Sequence, residues 1–263
     1  FAVWRGLAAA ATTFAGIFLF ARHALPSWSE LLSWPSLAMT LLQGLGSALF
    51  LASMGQTSAA NPLLILATAP FLAALFAWFA LRERIDRPTA LAIAAVFLGV
   101  GIIAAGSWGG VHLLGDFYAF LNAACIALYY VVLRMVPQRN LLVSIALGYL
   151  LTSAIAFPFA PMEAFDLRQS VLVFLSGGLI LACGGALLML GPRYLPAAEV
   201  SMITLLEIVI GPLLVWLVIG EAPGVYSLTG GAIILIAISC HSLFRLRQSR
   251  GSTVSGESGS PAI

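Results

Sequence analysis

Lysine is absent from these 263 residues, and all twelve basic side chains are Arg. Charge of either sign is scarce: only 8% of residues are charged, against about 25% in a soluble domain. A water-soluble fold could not cover its surface with so few charges. A bilayer removes that need, because lipid tails accept apolar side chains directly. The hydrophobic share of 61% and the mean hydropathy of +1.05 point the same way. A net charge of +2 without a clustered basic patch excludes nucleic acid as a partner. Cysteine is limited to Cys125, Cys183 and Cys240, each inside an apolar run and none in Cys-x-x-Cys spacing, so they read as small buried residues. There is no His-Glu-x-x-His, no Asp-rich diphosphate motif and no Gly-rich nucleotide loop. His23, His112 and His241 fall at or near the ends of apolar runs, unpaired with Ser or Glu at catalytic spacing. The expectation is a protein that is not an enzyme and needs no cofactor or metal.

What the chain has instead is long apolar runs. A spanning helix takes about 20 mostly apolar residues. Such runs lie at roughly 3–21, 36–54, 61–81, 88–106, 116–135, 141–160, 171–191, 197–219 and 225–244. They do not alternate in the manner of barrel strands. The fold class expected is therefore all-α, a polytopic transmembrane helix bundle. The first run reads as a span rather than a cleaved leader, since no basic segment precedes it and similar runs recur to the end. The Ser/Gly-rich stretch 248–263 reads as a disordered cytoplasmic tail.

Arginine placement sets the orientation. Ten Arg residues (22, 82, 84, 87, 134, 139, 193, 245, 247 and 250) fall on one side, while Arg168 and Arg5 fall on the other. The Arg-rich side is read as cytoplasmic, with the C-terminus inside a bacterial-type inner (plasma) membrane. Nine spans would then leave Phe1 outside.

The segment from Ala59-Ala60-Asn61 through Trp78 to Glu83 aligns without gaps to Ala197-Ala198-Glu199 through Trp216 to Glu221, an offset of 138 residues. Glu83 falls on the Arg-rich side and Glu221 on the other. The copies are thus inverted, a device of alternating-access carriers. The expected domains are an N-terminal repeat at 1–106, a five-helix C-terminal repeat at 107–247 and the tail at 248–263. The first repeat shows four helices where the second shows five. The reading is 4+5 helices here and 5+5 in a complete protein whose first helix this chain lacks.

Several motifs carry a resemblance: Trp4-Arg5-Gly6-Leu7, Ala69-Pro70-Phe71 through Glu83-Arg84, Gly115-Asp116-Phe117-Tyr118-Ala119-Phe120, and Leu205-Leu206-Glu207 through Gly220-Glu221. In order and spacing the chain resembles the drug/metabolite transporter superfamily, in its EamA-type branch of ten-helix carriers. Ile208, where a Pro commonly follows the Glu, and Ala124-Cys125-Ile126, where a Trp is usual, depart from that pattern. The resemblance implies export or uptake of small metabolites, amino acids among them, with efflux the direction favoured.

Glu207 is the sharpest candidate, because a carboxylate near mid-membrane costs about 2.5–3.5 kcal/mol even on a lenient scale. It either couples protons or binds a substrate amine, or else it ties helices together. Arg5 either snorkels to the outer interface, binds a substrate carboxylate or pairs with Glu207. Gln43, Asn122 and Tyr130 are expected to line a cavity; Thr68 is a further cavity candidate, or else bonds back to its own helix. Trp78 and Trp216 anchor at interfaces or act as gates. Pro70 and Pro212 should interrupt corresponding spans. Gly44, Ala48 and Ala52, with Ala95 and Gly99, should permit close helix contact. Asp116 reads as a helix N-cap. The partners expected are a small-molecule substrate, the lipid bilayer and a proton as coupling ion. A channel or receptor-like protein without carrier activity is the alternative; it would not need an inverted repeat.

Overall fold

A backbone inside lipid must satisfy its own hydrogen bonds, and these runs do so as helices. The computed structural model describes residues 1–20, 25–107, 112–137, 139–159, 166–190, 210–211, 213–220 and 224–257, with no strand among them. In chain order the helices are α1 (Ala2–Phe20), α2 (Trp28–Leu31), α3 (Trp34–Met54), α4 (Ala60–Leu66), α5 (Ala69–Leu81), α6 (Arg87–Gly106), α7 (His112–Met135), α8 (Leu142–Ala156), α9 (Leu167–Val173), α10 (Ala182–Leu190) and α11 (Val225–Glu257). Eight stretches are long and apolar enough to cross a membrane, and they coincide with eight of the nine expected runs. Of the ninth, 197–219, only residues 210–211 and 213–219 are described, and these are helical. The last helix runs past its span through the stretch expected as a tail, as far as Glu257.

The third span is broken. Pro70 has no N–H to give Leu66, and its ring crowds that carbonyl. The helix therefore stops at Leu66 and restarts at Ala69 with Pro70 in its first turn. Thr68 is buried at the break, and its hydroxyl donates to the Ile65 carbonyl at 2.7 Å. The Leu167–Leu187 span is also irregular, widening to π-helical turns over Phe174–Leu181. There Gly177 is required, since the Arg5 carbonyl occupies the place its Cβ would take.

On the Arg-rich side, Ser27 and Glu30 form a capping box at α2. Hydrogen bonds from the Ser27 backbone N–H and hydroxyl, helped by nearby Arg139, hold the exposed Glu30 carboxyl below its ordinary value. On the same side Arg134 Nη2 donates to both Glu83 carboxylate oxygens, at 2.9 and 3.1 Å.

Packing follows the repeat. The 138-residue offset carries α1 onto α8, α3 onto the Leu167–Leu187 span, and α6 onto the membrane part of α11. α3 lies against α8, and α1 lies against the Leu167–Leu187 span. These are one contact made once by each half. The pairs α1 with α8 and α6 with α11 join each helix to its own equivalent. α1 and α8 belong to the first and sixth spans, five steps apart and so an odd number, and these equivalents therefore run in opposite directions across the bilayer. Arg82 (φ 55°) and Gly220 (φ 73°), 138 residues apart, are the two left-handed residues among those described, and each ends its span. α6 and α11 cross so closely that a Cβ on Gly99 would stand 2.7 Å from the Gly230 carbonyl oxygen. Leu64, Ile65, Phe71, Val96, Ile103 and Ile234 form the largest core cluster beside this crossing. Phe20, Trp28 and Phe159 are more than four-fifths exposed, which suits lipid rather than water.

Candidate functional site

The described sequence-predicted residues are distributed over α1, α3, α5, α7, the α4–α5 break and the segment before Gly220. Gln43 is half-buried on α3, its Nε2 donates to Ser47 Oγ at 3.3 Å, and its stem packs at Gly148 of α8. Asn122 is 3% exposed on α7, its Oδ1 facing Gly46 of α3. Both thus border the seams that α3 makes with its neighbours. Tyr130 is half-buried and meets Tyr129 edge to face at 5.9 Å. Thr68 lies buried at the helix break, where its hydroxyl donates to the Ile65 carbonyl. Trp78 and Trp216 are about half exposed, and Trp78 tilts against Phe79. Arg5 is half-buried and interacts electrostatically with Tyr149, whose hydroxyl donates to the Leu181 carbonyl at 3.0 Å. Glu207, Thr204, Pro212 and Glu221 lie outside the described residues.

A polar centre that sequence reasoning missed sits at the opposite end of the bundle from the Arg-rich loops. α7 begins at His112, so Asp116 lies one turn inside the helix and is not its N-cap. The sequence reading of Asp116 as a cap is corrected here: the start of α7 four residues earlier frees its carboxylate for other work. Asp116 is 3% exposed. Its Oδ1 accepts from Thr57 Oγ1 at 2.8 Å and from Asn61 Nδ2 at 3.0 Å. Its Oδ2 accepts from Ser107 Oγ at 2.5 Å. Asn61 in turn accepts from Ser227 Oγ at 2.6 Å through its Oδ1. One carboxylate thereby ties the segment entering α4, the exit of α6, the start of α7 and, through Asn61, the start of α11. Those elements come from both halves.

A cavity of about 170 Å³ opens beside this cluster, lined by Thr57, Ser58, Asn61, Ser107, His112 and Ser227, with Ile103 and Tyr226 as apolar walls. Ser58 Oγ is buried there with no hydrogen-bond partner among the described residues. No basic side chain among the described residues forms an ion pair with Asp116. No group of three His, Cys, Asp or Glu is gathered to hold a metal among the described residues either. Such an arrangement fixes helix ends and leaves hydroxyl, amide and imidazole groups at the edge of a small space. The sequence hint was an Asp within an apolar run. Its partners stand 9 to 59 residues away in sequence, too far for local spacing to reveal.

Residues 1–105 and 113–243 each match the model of the EamA-like transporter family. A solved structure described as "Crystal structure of protein" superposes with a TM-score of 0.61 at 18% identity, covering 92% of this chain and 86% of that one. At that identity the likeness speaks for the fold alone. No curated protein matches the chain. Two family matches, one for each half of an all-helical, multiply spanning bundle, establish that the chain belongs to the EamA-like transporter family.

Proposed function

We propose that the chain is a secondary transporter, moving a small amino-acid-like metabolite across a bacterial-type plasma membrane by alternating access, in the direction of export. The observation that carries this reading is the equivalence of the two cross-contacts, α3 on α8 and α1 on the Leu167–Leu187 span. Two packings of equal kind, oppositely directed, give a bundle two related ways to close, one towards each side. The Arg-rich side is cytoplasmic and holds the C-terminus. Glu207 is the mid-membrane carboxylate that couples protons or takes a substrate amine. Gln43, Asn122 and Tyr130, with Arg5, face the substrate path, while Trp78 and Trp216 stand near its two ends.

Counterflow in proteoliposomes tests this. Vesicles preloaded with an unlabelled amino acid mixture should transiently accumulate labelled amino acids, saturably. A channel would equilibrate label without overshoot, and that result would reject the carrier reading. Glu207→Gln should flatten the pH dependence of counterflow. A variant that keeps the wild-type pH profile would remove Glu207 from coupling.

A further inference from the structure

We infer that the short connection between α5 and α6 is a docking site for an anionic phospholipid headgroup, its phosphate held by Arg82, Arg84 and Arg87. The inference stands apart from the transport reading, since it concerns the bilayer around the chain and holds whether or not cargo crosses.

The place of the connection comes first. The Ala60–Leu81 span is followed by the Arg87–Gly106 span, and residues 82–86 alone join them. So short a link stays at the level of the headgroups. Arg82, Arg84 and Arg87 are all exposed there, and none of them has an ion pair or a side-chain hydrogen bond among the described residues. The acidic neighbours are engaged elsewhere. Glu83 accepts both bonds from Arg134 Nη2, and Asp86 caps α6 by accepting from the Thr89 N–H. The start of α6 adds the positive end of its own dipole beside Arg87. The three guanidiniums therefore reach the bilayer surface with their donors unused. A phosphate diester, with one negative charge on two free oxygens, matches the fork of an Arg. About one turn back, Trp78 and Phe79 are 46% and 68% exposed, their rings 4.5 Å apart. They give the same corner an aromatic flank where headgroup meets acyl chain.

Membrane orientation alone does not call for this arrangement. Orientation depends on how many basic residues lie on a side, not on the backbone that carries them. Arg82 holds a left-handed backbone that an L side chain resists. The matching corner of the second half takes the same bend at Gly220, and the three arginine positions there are Gly220, Ala222 and Val225. Glutamate stands at the shared position in both, as Glu83 and Glu221. The turn thus needs none of the three arginines. A strained residue whose side chain bonds to nothing among the described residues points to a contact outside the chain.

The chain in dodecyl maltoside micelles is titrated with phosphatidylglycerol, or with phosphatidylcholine as the neutral comparison, and Tm is read at each step. Phosphatidylglycerol should raise Tm saturably, because a ligand of the folded state stabilises it by mass action, and phosphatidylcholine should not. Arg84→Gln and Arg87→Gln should each weaken the apparent affinity about fivefold, the worth of one arginine near an anionic surface. Arg168→Gln removes the same charge from an exposed residue at the start of the Leu167–Leu187 span, on the other side, and should leave the affinity unchanged. Arg82→Gly should melt higher than the parent in lipid-free micelles and yet bind phosphatidylglycerol about fivefold more weakly. Equal responses to the two lipids would overturn the inference. So would an affinity that falls as far in Arg168→Gln as in Arg84→Gln and Arg87→Gln, the mark of diffuse attraction. A saturable rise of the same size with glycerol phosphate in place of the lipid would overturn it too, by revealing a site for a free anion.

Discussion

Gly99 and Gly101 stand two residues apart on α6 and should answer the same substitution with opposite signs. Replacing either with Ala improves helix propensity by about 1 kcal/mol. At Gly101 nothing lies within 4 Å of the new methyl group, so Gly101→Ala should keep most of that gain. At Gly99 the methyl would sit 2.6 Å from Ile234 Cγ1 and 2.7 Å from the Gly230 carbonyl oxygen. The Ile side chain can turn, but the Gly230 carbonyl belongs to the backbone of α11 and moves only with that helix. Forcing packed helices apart costs about 1–3 kcal/mol, which outweighs the propensity gain. Gly99→Ala should therefore be less stable than Gly101→Ala by about 1–3 kcal/mol. Equilibrium unfolding by SDS titration in mixed micelles, run on the two variants beside the parent, reads the difference. Equal stabilities, or a more stable Gly99→Ala, would refute the close crossing of α6 and α11.

Three further outcomes are expected. Arg82→Gly should stabilise the chain by about 1 kcal/mol in the same titration, because it relieves a left-handed backbone that an L side chain resists. Glu83→Gln should change stability by less than about 1 kcal/mol, since the pair with Arg134 is roughly half exposed on both sides and screened by water and salt. Acidification should loosen α2 selectively: the Glu30 carboxyl titrates lower in the folded chain than in the unfolded one, so its capping contribution is full above the unfolded value and is lost as pH falls through the folded one. Protection factors at Glu30 and Leu31, the exchange rates corrected for their intrinsic pH dependence, should fall at low pH, and unchanged protection would remove the carboxylate from that cap.

The spans and their order were legible because hydrophobic length is an additive property of local sequence. The eight described spans begin and end within a few residues of the expected runs. The repeat was legible from Trp78 to Glu83 against Trp216 to Glu221, and the matched packing of α3 and α1 extends it beyond those letters. Pro70 announced an interruption, although the break falls just before it, at Ala67 and Thr68, since proline is accommodated in the first turn of a helix rather than within one. The polar centre was hidden for a different reason. Asp116 beside the start of an apolar run looks like a cap, and only the earlier start at His112 changes its meaning. Thr57, Asn61, Ser107 and Ser227 are individually ordinary residues near helix ends, and their shared partner is set by how α4, α6, α7 and α11 meet. The widened turns around Gly177 left no trace in composition, and the close approach of the Arg5 backbone that makes a glycine necessary there comes from another helix.

The matched left-handed exits at Arg82 and Gly220 mean that both halves leave their spans through the same bend. Glycine makes that bend without strain, whereas arginine holds it at a standing cost of about 1 kcal/mol. The two halves therefore share a main-chain torsion where they share no residue, so comparison of backbone torsions registers a likeness at this position that comparison of letters misses.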